Sequence, residues 1–137
     1  MSKDDFANGK GFANIVRLES APVEGAPGRS IETQLWTGQM LFRNAETWSI
    51  SGVDVTEMHN GKGTVRGNQV ATHRDGSTMA SSYSGKVKAV ENSNRFVGKG
   101  EWRTTSGTGR AAGIKASGSF TFEQTGDKFT NEISGKA

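Results

Sequence analysis

SGTGRAAGIKASGSFTF, residues 106–122, is the stretch on which the reading of the fold turns. The runs on either side of its glycines, FVGKGEWRTT (96–105) and ASGSFTFEQ (116–124), alternate with a period of two, as half-buried strands do. Gly107, Gly109 and Gly113 lie between them and predict a tight turn followed by a short coil. Ala111, Ala112 and Ile114 are small or apolar and suit a coil tucked over one end of a core. The glycines spell G-x-G-x-x-x-G, which is not the dinucleotide-binding spacing, and a strand rather than a helix follows them. No G-K-[ST] ends the stretch. A phosphate-binding loop is therefore set aside.

Working outward, the same alternation recurs at 10–19, 30–42, 47–58, 62–73, 77–90 and 128–136. Asn60-Gly61 and Asp75-Gly76 are two-residue hairpin signals, Glu91–Asn94 is a longer polar turn, and Gly126-Asp127 turns the last hairpin. Both prolines, Pro22 and Pro27, fall within 20–29, which reads as a long loop because proline lacks a ladder donor. Gly52 in mid-strand suggests a bulge or bend. About eight short strands joined by tight turns predict an all-β fold: an antiparallel meander closed into a barrel, which also disposes of exposed edges. Residues 1–9 read as a flexible arm, and 10–137 as one barrel domain.

The composition agrees. Only 32% of residues are hydrophobic and 19 are glycine, which suits a sheet with one wet face and not a helix bundle. Cysteine is absent, so disulfides, thiolate metal sites and cysteine nucleophiles are excluded. The net charge of +3 is spread among interspersed acids and bases, so a mixed solvated surface is preferred to a nucleic-acid patch. No run reaches transmembrane length. The first residues lack an apolar signal core, so the chain as written is expected to be cytoplasmic; a removed signal would make it secreted or periplasmic.

The Gly-Thr-Gly-Arg turn at 107–110, the small apolar coil and the Gly-flanked strand after it resemble the signature segment of the allene oxide cyclase and dirigent-like barrels. The Gly-x-Gly-Thr unit and the aspartyl-glycine hairpin within 61–78 are similar to theirs as well, so the resemblance covers roughly 61–124. The nearest likeness is to small bacterial members of that superfamily. It implies a closed barrel that binds a small apolar or oxygenated molecule, and a cyclase or isomerase that works by shaping a flexible apolar substrate.

Candidate site residues follow from alternation. His73 shares a face with Val65, Gly67, Gln69 and Ala71, taken as the lumen side, close to a rim. An imidazole there suits general acid–base work, and equally a hairpin hydrogen bond. Tyr83, the only tyrosine, needs a hydroxyl partner if it faces inward. His73 and Tyr83 are the catalytic candidates. Trp36, Met40, Phe42, Trp48, Trp102, Phe120 and Phe122 are candidate walls of a ligand site or plain core, since an eight-stranded barrel is either filled or holds one small ligand. Glu101 and Arg103 are assigned to a solvated outer face, opposite Trp102. His59, Glu57 and His73 show no spacing that demands a metal, and no motif calls for a cofactor. No serine triad or glycosidase carboxylate pair stands out.

Both faces of 30–42 carry large groups, Ile31, Leu35 and Leu41 on one and Trp36, Met40 and Phe42 on the other. One face is then covered by the lumen and the other by a partner subunit or a loop, and a homo-oligomer, dimer or trimer, is the expectation. The leading function is small-molecule binding in the lumen; the alternative is a filled barrel with a structural or interaction role.

Overall fold

Eight strands follow one another around a closed antiparallel barrel, each hydrogen-bonded to its neighbours in sequence. They are β1 (Gly9–Pro22), β2 (Arg29–Phe42), β3 (Thr47–His59), β4 (Lys62–Thr72), β5 (Thr78–Ala89), β6 (Arg95–Gly107), β7 (Ser117–Thr125) and β8 (Lys128–Lys136). The computed structural model describes residues 2–137. The expected all-β meander and closed barrel are thus what the chain forms. Alternation drives it: on β2, Gln34, Trp36, Met40 and Phe42 are buried while Thr33, Leu35, Thr37 and Leu41 are exposed. At the β3–β4 hairpin, Asn60 and Gly61 have φ of 53° and 83°, the pair of positive values that a two-residue turn of this hand requires. The second hairpin is longer than expected. Its connection runs from His73 to Ser77, pinned by His73 N–H to the Ser77 carbonyl (2.8 Å) and Ser77 N–H to Asp75 Oδ1 (2.8 Å).

Gly52 does not mark a bulge. β3 passes through it in unbroken register with both β2 and β4. It marks a close approach instead: Trp36, its direct partner on β2, lies over it, and a Cβ there would stand 2.2 Å from the Trp36 ring. The register shifts that do occur put Val16 on β1 and Thr105 on β6 out of the ladder.

One end of the barrel is sealed. The Gly109–Ala111 turn and the coil to Ala116 fold across it, burying Ala111 and Ile114 as expected and Ala116 besides, while Ala112 is exposed. Ala116 N–H donates to the Thr104 hydroxyl (2.9 Å), Arg110 N–H to the Ser77 hydroxyl (2.9 Å), and the Arg110 guanidinium pairs with Glu46. The expected arm over 1–9 is also part of this seal. Lys3–Ala7 form a 3-10 helix, capped by Ser2, that leaves Phe6 only 3% exposed. The Phe6 ring packs edge-on against Phe42 (5.8 Å) and Trp48 (5.5 Å). A segment with one large apolar residue looks dispensable in sequence; here that residue is a plug, and its burial offsets the ordering of the polar residues around it.

The circle closes between β1 and β8. Only Gly9–Asn14 pair there, with Lys128–Ile133. Asn8 braces the seam: its amide donates to the Gly135 carbonyl (3.1 Å) and accepts from Gly135 N–H (3.4 Å). Ala137 N–H donates to Asp4 Oδ1 (2.8 Å). Beyond the seam, Arg17–Pro22 of β1 pair with β2 alone, among the described residues.

Candidate functional site

Away from the sealed end the barrel is not full. A cavity of about 80 Å³ remains inside it, well above the ~10–15 Å³ that one water requires. Its walls include Trp36, Phe42, Trp102, Phe120 and Phe122 from the expected set, with Phe96 and Phe129 added. Trp36 meets Phe129 edge-on at 4.9 Å, and Tyr83 meets Phe120 edge-on at 5.7 Å. Met40 and Trp48 do not line it. Both are fully buried near the sealed end, where the Trp48 indole N–H donates to Glu46 Oε2 (3.2 Å).

The two catalytic candidates part company. Tyr83 lines the cavity and its hydroxyl donates to Asp54 Oδ2 at 2.9 Å. His73 has the expected parity but stands at the other end, its ring 5.2 Å from Trp48 and its Nδ1 3.0 Å from Asp75 Oδ1. Asp75 also accepts from Ser77, backbone first, which holds its carboxyl below the ordinary carboxylate range. His73 thus organises a hairpin. His59 is exposed at the end opposite His73, and among the described residues no three potential metal ligands converge. Glu101 and Arg103 are exposed and Trp102 buried, as expected.

Asp54 is the residue that sequence reasoning missed. One row of direct cross-strand partners runs Gln34–Asp54–Gly67–Tyr83 across β2 to β5. Gly67, the glycine between the acid and the phenol, leaves the gap that the hydroxyl crosses: a Cβ on it would be 2.5 Å from the Tyr83 oxygen and 2.5 Å from the Val53 carbonyl. Asp54 Oδ1 and the Trp36 indole nitrogen are both buried without a hydrogen-bond partner. Burial raises the Asp54 carboxyl above its ordinary value of 3.8, and the negative charge of Glu32 adds to this; the Tyr83 hydroxyl and the nearby Trp36 indole oppose it. Burial, then the charge of Asp54, pushes the Tyr83 phenol up, so Tyr83 stays protonated and donates.

A pH dependence follows. Folded Asp54 holds its proton over a range in which the unfolded chain has lost it, so the native state binds more protons there. Its contribution to stability is present below pH 3.8 and is lost as pH rises through the elevated folded value. Urea titrations of wild type and Asp54→Asn at pH 3.5 and 7 are expected to show the variant gaining on wild type at the higher pH. Parallel curves at both pH values would remove the raised carboxyl from the account.

The fold and cavity define an up-and-down β-barrel with a mainly apolar interior pocket that holds a few polar groups. Comparison with protein-family models and with curated proteins finds no match to this chain. Among the described residues no helix is long and apolar enough to cross a membrane.

Proposed function

We propose that the protein binds a small, largely apolar molecule inside the barrel, with the Asp54–Tyr83 pair facing the polar group of that ligand. The carrying observation is the unfilled, aromatic-walled cavity with a hydrogen-bonded acid and phenol on one side. A pocket of this make-up, apolar walls with a few convergent polar groups and a perturbed acid, is what small-ligand sites have in common. The likeness of 61–124 to allene oxide cyclase and dirigent-like barrels extends the proposal to a cyclase or isomerase. In that reading the walls shape the substrate and Asp54, with its raised carboxyl, is the acid–base group.

A second reading, assembly of copies of the chain, is favoured by one observation. The outer faces of the early strands carry exposed apolar side chains, and Leu35 and Val53 are direct cross-strand partners there. Native mass spectrometry tests both. The first reading expects adducts on the 14.6 kDa chain that denaturation removes; the second expects a defined subunit multiple. A bare chain mass that takes up nothing from a small-molecule screen would sink the first, and a monomer at micromolar concentration the second.

A further inference from the structure

The charge inside the barrel is of one sign. Glu32 and Asp54 both line the cavity, and none of the 17 lysines and arginines of the chain does. Neither histidine lines it. Glu32 pairs directly with Thr56, and Gln34 with Asp54, so the two carboxyls are diagonal neighbours on β2 and β3. Glu32 lies nearer the end that carries the 23–28 loop, and Asp54 lies deeper. Across the ring from β2 and β3, on β6 and β7, stand the rings of Trp102, Phe120 and Phe122.

We propose that the ligand of this lumen carries a positively charged nitrogen, an amine or quaternary ammonium group seated between the Glu32 and Asp54 carboxyls and the aromatic wall. This rests on the lumen-binding reading above and specifies its chemistry. A buried carboxyl is normally offset by a cationic partner or a full set of donors. Asp54 has one donor in good geometry, Tyr83; the Trp36 indole N–H lies close enough to favour the carboxylate but not to complete a hydrogen bond, and Oδ1 is left without one. A bound cation supplies the missing charge. Ring faces attract the same cation through their quadrupoles and hold it without a hydrogen bond, which suits a methylated ammonium in particular. A neutral alcohol can donate one hydrogen bond to the free oxygen but brings no charge, and a carbonyl brings neither. The outside of the protein is net basic, so the attraction is confined to the lumen, with Glu32 as its outermost point.

Binding of a cation draws Asp54 toward its ionised form, so protons leave on association. The titratable groups that line the cavity are Glu32, Asp54 and Tyr83, and the phenol stays protonated throughout.

The experiment compares choline with its neutral isostere 3,3-dimethylbutan-1-ol on the intact protein, by calorimetry and by tryptophan fluorescence. Choline is expected to bind at least about tenfold more tightly, the ratio that one favourable ion contact of about 1.4 kcal/mol gives. Asp54→Asn is expected to erase that preference, and Glu32→Gln to reduce it. Calorimetry of the wild type in buffers of different ionisation enthalpy, between pH 4 and 7, is expected to show proton release, and this needs no variant to fold. Equal affinities, or a preference for the alcohol, would overturn the cation proposal and leave the lumen-binding reading intact. Saturable binding of neither compound would overturn the cation proposal too, while the uptake screen above decides the lumen reading separately.

Discussion

Phe6→Ala is expected to lower the free energy of unfolding by about 4 kcal/mol, within the range for removing a buried phenylalanine ring. The effect comes from a residue that sits in a polar, charged N-terminal stretch. Its ring is the stopper of the sealed end, with Phe42 and Trp48 turned edge-on to it, and alanine would leave a void that neither tryptophan nor phenylalanine can swing to fill without losing its own contacts. Three further links hold the segment: Arg43 Nε to Asp5 Oδ1 (2.9 Å), Arg43 N–H to the Asn8 carbonyl (2.9 Å) and the Asn8 bonds to Gly135. Those survive the substitution, so the loss reports the ring. Urea unfolding followed by tryptophan fluorescence measures it. A change below about 0.5 kcal/mol, the usual scale for surface substitutions, would mean that the first residues do not dock.

Gly67→Ala is expected to cost about 3 kcal/mol and to lower Tm by about 10 °C. The added methyl meets a phenol oxygen on one side and the backbone carbonyl of Val53 on the other, and the backbone of a strand paired on both edges has little room to move. The side chain that yields is Tyr83, and when it does its bond to Asp54 is lost, leaving a buried acceptor unpaired at roughly 1–3 kcal/mol. A double-mutant cycle identifies the cause. Tyr83→Phe already lacks the hydroxyl, so Gly67→Ala in that background is expected to cost less than it does alone. Strict additivity of the two changes would show that the clash lies with the ring carbon, 2.6 Å from the added methyl, or with the Val53 carbonyl, and not with the hydroxyl.

The strands and their turns were legible because alternation and turn chemistry agree. The run from Thr47 to His59 has apolar or small residues at 48, 50 and 52, and Asn60-Gly61 ends it. The cavity walls were partly legible for the same reason, since Trp36, Phe42, Trp102, Phe120 and Phe122 all sit in phase with inward neighbours. Asp54 went unremarked because a lone acid between Val53 and Val55 carries no motif, and a bulge expected at Gly52 leaves the faces beyond it unfixed. Continuing the count from Trp48 and Ile50 through Gly52 would have placed Asp54 inside, beside Glu32 and Gln34 counted back from Trp36. His73 shows the complementary limit: parity gives the face of a residue, but not which end of a barrel it occupies, and although the coil over one end was legible, the share of Phe6 in that seal was not.

The narrow seam between β1 and β8 gives the two ends of the chain a weight that their sequence does not suggest. Seven of the eight joints in the ring lie between neighbours in the chain, each made by a local hairpin or, for β6 and β7, a short coil. The eighth unites residues more than a hundred positions apart over six pairs and is fastened by Asn8, Asp4 and the last backbone N–H. Local hairpins form early and at small entropic cost, whereas this joint must wait for the whole ribbon to curl. The molecule is in effect a bracelet whose clasp is made from its first and last strands and the short segments beside them, so a change in Asn8 or Asp4 bears on the closure of the space that the ring encloses.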